Sequence, residues 1–166
     1  MGKDLTTLID ESINLELNVA NLYLLFHELF QEDRSFWWKL IMEEEGHAAL
    51  LRSGKELFLP RNKFPHDLID DRLRLLVDTN SRVHSLIEEC EINPPSREEA
   101  FNIAFSLENS AGELHFQRFM DGEPSSKMDA IFQELNKDDK NHAERISSYM
   151  NSHGILLQSE KAKKTS

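Results

Sequence analysis

Two glutamates in this 166-residue chain stand where an acid is out of place. Glu16 lies in the stretch SINLELNVA, where its neighbours at helical spacing are Ser12, Ile13, Val19 and Ala20, so its carboxylate falls on the apolar face. No lysine or arginine occurs between Lys3 and Arg34 to pair with it. Glu108 repeats the situation in AFSLENSAG, flanked by Ala104, Phe105, Ala111 and Gly112, with no lysine or arginine between Arg97 and Arg118. A carboxylate buried without a partner is costly and normally neutralises itself by raising its pKa. A metal cation removes that cost.

Two further motifs add imidazole. Glu44 and His47 form Glu-x-x-His within EEEGHAALL, and Asp139 and His142 form Asp-x-x-His within DDKNHAERI. A separation of three residues puts both side chains on one helical face, within reach of one ion. With 30 acids and seven histidines in the chain, about one such pair arises by chance, so order and symmetry carry the argument. A lone Glu is followed 28 residues later by Glu-x-x-His, and a second lone Glu is followed 31 residues later by Asp-x-x-His. Each lone Glu has a small residue four positions on (Ala20, Gly112) and a ring bearing a polar group seven positions on (Tyr23, His115). Each motif histidine precedes an alanine (Ala48, Ala143). The chain reads as two helical hairpins, each carrying half a site. Joined antiparallel, they would converge four carboxylates and two imidazoles in the core of a four-helix bundle, a known recipe for metal sites there. This donor set suits iron or manganese, two ions sharing the bridging acids, and four carboxylates balance the charge of two divalent ions.

The elements that must position these residues are helical throughout. With 6 glycines and 5 prolines, breakers are sparse, and apolar residues recur at helical rather than alternating spacing. The first helix spans roughly 5–32, with Thr7 and Asp10 as its capping box; the second spans roughly 35–58. Ser96 and Glu99, just after Pro94-Pro95, open a third helix that runs to about Met120. The fourth starts near Ser125 or Ser126 and ends before Gly154. Between the second and third helices, Leu68, Leu73, Leu76 and Val77, then Val83, Leu86 and Ile87, are also helix-patterned, as expected of a long crossover between parallel helices. The predicted fold is all-α: one four-helix bundle domain over 1–154 with a long helical crossover between helices 2 and 3, then a disordered basic tail over 155–166.

Composition excludes several other classes. Thirty acidic against nineteen basic residues give a net charge of −11, which disfavours nucleic acid and anionic membrane surfaces as partners. No apolar run exceeds five residues (Leu22 to Phe26), and Asp4, Asp10 and Glu11 stand where a signal peptide would be apolar. Cys90 is the single cysteine, which leaves neither an intramolecular disulfide nor a cysteine-rich metal site. The expected address is the cytoplasm. No ligand role is expected of His27, His66, His84 or His153, and Glu43 and Glu45 are expected to face solvent. Phe36, Trp37 and Trp38 are expected to pack against another helix or a partner chain.

On these motifs, over about residues 5–152, the sequence resembles the ferritin-like superfamily of di-iron carboxylate proteins, most of all its rubrerythrin branch. The resemblance implies that Glu16 and Glu108 are single-carboxylate ligands, bridging or bidentate, and that Glu44 with His47, and Asp139 with His142, each serve one of two iron (or manganese) ions. It further implies two-electron reduction of hydrogen peroxide or dioxygen, fed by a separate electron-donor protein, with Tyr23 and His115 bonding a ligand carboxylate or moving a proton. The chain departs from the pattern in three ways. Asp139 stands where the family has Glu, Ala111 replaces a further Glu, and a rubredoxin domain with its Cys-x-x-Cys pairs is missing. Beside an oxidoreductase stand two alternatives: a non-catalytic iron-binding, buffering or sensing protein, and a metal-free bundle with a vestigial site. A homodimer is expected, as the commonest assembly of small proteins.

Overall fold

The computed structural model describes residues 2–109, 111–137 and 141–158, with side chains for all of these but 2–4, 66 and 111–115. Among the described residues the secondary structure is entirely helical: α1 (Gly2–Leu29), α2 (Arg34–Leu57), α3 (Leu73–Ile92), α4 (Arg97–Glu108), α5 (Ala111–Asp121), α6 (Lys127–Asn136) and α7 (His142–Ser152). None of these helices is long and apolar enough to cross a membrane.

Helices α1 and α2 are joined through a single 3-10 turn (Gln31–Asp33) and run antiparallel along one another. Lys55 pairs with Asp10 at one end (Nζ to Oδ1 2.5 Å), and Trp37 meets Tyr23 near the other (ring centroids 5.6 Å). Trp37 is fully buried, also touching Phe26 (5.2 Å) and Phe101 (4.5 Å), and forms the aromatic centre of the core. Helix α3 lies against α1 and is fastened there by Asn80. Its Nδ2 donates to the backbone carbonyl and carboxylate of Glu11 (both 2.9 Å), and its Oδ1 accepts from Asn18 (3.0 Å). Cys90 is buried on the same helix.

Helix α4 opens with the capping box of Ser96 and Glu99 and packs against α7, Phe101 stacking on Tyr149 at 5.4 Å. Asp33 ties the two helix pairs together. Arg97 Nε and Nη2 donate to its two oxygens at 2.8 and 2.7 Å, and Tyr149 Oη donates to Oδ1 at 2.8 Å. Phe36 stacks on Tyr149 at 4.1 Å, whereas Trp38 remains 51% exposed.

Several expectations need correction. Helix α1 begins at Gly2, so Thr7 and Asp10 lie inside it rather than capping it. The third helix is interrupted: α4 ends at Glu108, and Asn109 leaves helical geometry (φ −96°, ψ 12°) with its Nδ2 donating to the Phe105 carbonyl at 2.8 Å. The fourth is interrupted as well. Asn136 Nδ2 bonds the Phe132 carbonyl at 2.6 Å at the end of α6, and Asn141 enters α7 from the left-handed region (φ 67°). Asparagine amides compete for main-chain partners, and Asn tolerates positive φ, so these residues stop helices that hydrophobic periodicity alone would continue. Gly154 (φ 67°) ends α7 at the expected place. Residues 155–158, expected in the tail, are packed: Ile155 is buried, Leu157 rests on the core, and Asn102 bonds the Leu156 carbonyl (2.9 Å) and the Gln158 amide (2.9 Å). Two apolar side chains in this short segment give it the core contacts a tail would lack; residues 159–166 lie outside the described part.

Candidate metal centre

Glu16 comes from the middle of α1, Glu44 and His47 from successive turns of α2, Glu108 from the last residue of α4, and His142 from the first residue of α7. The asparagine-marked interruptions therefore flank the site: Asn109 follows one ligand candidate and Asn141 precedes another. Among the described residues two groups could hold a metal ion, Glu16–Glu44–His47 and Glu44–Glu108–His142, with the donor atoms of each group within 4.8 Å of one another. Asp139 lies outside the described residues, as does the side chain of His115 on α5.

The two groups share Glu44. Its Oε1 is 2.8 Å from His142 Nδ1, and its Oε2 is 3.7 Å from His47 Nδ1. Glu16 Oε2 is 3.5 Å from His47 Nδ1, and Glu108 Oε2 is 3.3 Å from His142 Nδ1. The common position thus falls to Glu44, whereas Glu16 and Glu108 each face one histidine. The α1–α2 hairpin carries Glu44 inward between the two rings, which lie 5.6 Å apart and nearly parallel.

These atoms are close without hydrogen-bonding one another. Of the ten buried side-chain nitrogens and oxygens lacking a hydrogen-bond partner among the described residues, eight belong to Glu16, Glu44, His47, Glu108 and His142; the other two are on His27 and Trp37. Buried polar atoms are almost always satisfied, so the six of these that face one another (Glu16 Oε2, both Glu44 oxygens, Glu108 Oε2 and the Nδ1 atoms of His47 and His142) form the arrangement a cation would complete.

The electrostatics point the same way. Burial pushes the Glu16 carboxyl up to about 8, with Glu44 adding to the rise and His47 resisting it. Burial would also raise Glu44, but the neighbouring His142, His47 and Glu16 outweigh it and hold the carboxyl well below its usual range. Burial disfavours charge on both imidazoles, yet Glu16 and Glu44 lift His47, and Glu44 and Glu108 lift His142, well above the ordinary histidine value. The carboxylates thus favour positive charge at this position, which a proton or a cation can supply.

Three neighbours complete the surroundings. Tyr23, fully buried on α1, donates its hydroxyl hydrogen bond to Glu108 Oε1, so the tyrosine that follows one lone Glu serves the other. Glu43, expected at the surface, is buried. Arg145 holds it in a fork (Nη1 to Oε1 3.1 Å, Nη2 to Oε2 2.5 Å), and His142 Nε2 lies 3.1 Å from its Oε2. The overlooked signal was spacing: Glu43 precedes His47 by four residues and Arg145 follows His142 by three, so each shares a face with a ligand candidate. The third neighbour, Phe116, places its ring 4.7 Å from that of His47. A cavity of about 30 Å³ opens beside Glu16 and His47, walled by Leu50, Leu51, Leu76 and Phe116. Glu16 keeps 12% side-chain exposure, although its Oε2 is shielded. His27 packs beside Trp38 (5.8 Å), and His84 and His153 are exposed.

Comparison with family models, with curated protein sequences and with solved structures found no match for this chain. The reading of the site rests on its own residues.

Proposed function

We propose that this chain is a ferritin-like four-helix bundle, close in type to the single-domain rubrerythrins, that binds two iron or manganese ions and reduces hydrogen peroxide or dioxygen. The observation that carries the reading is the set of orphaned donor atoms: carboxylates and imidazoles from four helices, arranged in two groups that share Glu44. A metal-free bundle with a vestigial site would bury the same atoms with no cation to complete them, at about 1–3 kcal/mol for each group left unsatisfied.

Glu16 and His47 would hold one ion, Glu108 and His142 the other, and Glu44 both. Iron or manganese in that position supplies reversible one- and two-electron chemistry. The chain's own contribution is geometry, charge and access. Tyr23 keeps a proton at Glu108 Oε1, fixing the orientation of that carboxylate. The 30 Å³ cavity beside Glu16 has room for a water-sized oxidant. A separate donor protein would supply the electrons. A homodimer is the assembly we expect.

The experiment is metal content per chain by mass spectrometry after anaerobic loading with ferrous iron, beside Glu44→Ala. The expected result is about two ions per wild-type chain, as in other bundle-core dimetal sites, and neither retained by the variant. Peroxide consumption with a chemical reductant should follow metal content. Wild-type chain that takes up neither iron nor manganese would rule the reading out; full occupancy without peroxide or dioxygen turnover would leave an iron-binding protein.

A further inference from the structure

The two halves of the site are supported unequally. On the His142 side, the ring's Nδ1 faces Glu44 and Glu108, while its Nε2 lies 3.1 Å from Glu43 Oε2. Glu43 is itself buried and cannot drift, because Arg145 grips both its oxygens from one turn further along α7. An imidazole that ligates through Nδ1 must carry its proton on Nε2, and a carboxylate placed against that nitrogen fixes the tautomer, orients the ring and makes the ligand more basic. The contact has the distance of a hydrogen bond without its alignment; such bonds commonly tighten once the site is filled.

Among the described residues His47 has no such counterpart. Its Nε2 is buried with no hydrogen-bond partner among the described residues, and its ring rests on the apolar face of Phe116. The same residue, together with Glu16, lines the cavity. One half is braced within the protein; the other opens onto a space a small molecule can occupy.

Building on the metal-centre reading, we propose that Glu43, clamped by Arg145, is a positioning residue for His142, and that it makes the His142 half the tighter and first-filled of two inequivalent metal positions. The His47 half is then the weaker, more exchangeable position. It is also the one beside the cavity, where an exogenous ligand meets the centre.

The test is anaerobic equilibrium dialysis of the full chain against ferrous iron, with bound metal per chain measured across a wide range of free concentration. Wild type should fill in two separable steps. Glu43→Gln should weaken the tighter step about ten- to a hundredfold, as removal of such supporting contacts does elsewhere, and leave the weaker step within about threefold. His47→Ala should abolish the weaker step and spare the tighter one. Arg145→Gln keeps the Glu43 carboxylate but loosens it, and should shift the tighter step in the same direction by less; it carries the test if Glu43→Gln fails to fold. Two equal affinities in wild type, or a Glu43→Gln variant that weakens both steps alike or neither, would overturn the inference while leaving the metal centre standing. No uptake at all by wild type would remove the metal centre itself, and this inference with it.

Discussion

Glu44 concentrates the chemistry of the site, because among the described residues it is the acid within reach of both imidazoles. Protons carried by His47, His142 or Glu16 in the metal-free site must leave when a cation arrives, since the ligating forms are neutral imidazole and ionised carboxylate. All three groups are raised above their ordinary values: Glu16 chiefly by burial, the histidines by adjoining carboxylates that outweigh burial. Metal uptake should therefore release protons and tighten as pH rises from 6 to 8, which calorimetry in two buffers of different ionisation enthalpy would check. Tyr23 makes a separate prediction. Tyr23→Phe preserves the ring contact with Trp37 but strips Glu108 of a buried donor. It should cost the metal-free protein about 1–3 kcal/mol in chemical denaturation, the penalty for one unsatisfied buried group.

Among the helices, the joint at Asp33 does for one end of the fold what the site does for its middle. It connects the start of α2 to the start of α4 through Arg97 and to the end of α7 through Tyr149. Burial would raise the Asp33 carboxyl, but Arg97 and Tyr149 outweigh it and hold it below its ordinary value. A depressed carboxylate stabilises the fold above its unfolded value of about 4, and that contribution fades as pH falls through the lower folded value. Asp33→Asn should accordingly destabilise the protein by about 2–3 kcal/mol at pH 7, on the scale of charge-assisted hydrogen bonds, and flatten the loss of stability on acidification. Urea unfolding at pH 7 and at pH 3 would measure both effects.

For the molecule as a whole, a metal bound at the proposed centre would couple fold and site. The ligand candidates come from α1, α2, α4 and α7, so an ion held by all of them opposes the separation of the two helix pairs. A ligand bound only to the folded state adds about 2.7 kcal/mol when its free concentration is a hundred times Kd. For a chain of this size that shifts the melting temperature upward by about 5–10 °C, at roughly 2–4 °C per kcal/mol. Differential scanning calorimetry with and without ferrous or manganous ion would show it. Glu44→Ala should abolish the metal-dependent rise, because both ions lose a shared ligand.

Helical class, the start of α4 at its Ser96–Glu99 capping box, the end of α7 at Gly154 and the buried acids and histidines that the fold brings together (Glu16, Glu44, His47, Glu108 and His142) were legible from sequence, because each is written in local spacing. Periodicity put Glu16 and Glu108 on apolar faces, and three-residue spacing joined Glu44 to His47. Where the helices break was not legible, since asparagine in a helical pattern reads as an exposed polar residue until its amide is seen bonding the chain behind it, as at Asn109 and Asn136. Which acid is shared was a tertiary matter too. The family resemblance gives the bridging role to Glu16 and Glu108 and leaves Glu44 to one ion with His47; only the approach of the helix pairs brings Glu44 within reach of both His47 and His142. Glu43 shows the limit most clearly: beside Glu44 in sequence it looks like a solvent-facing charge. It becomes buried because α7 delivers His142 and Arg145 to it, the latter from 102 residues away, a partnership that no local pattern encodes.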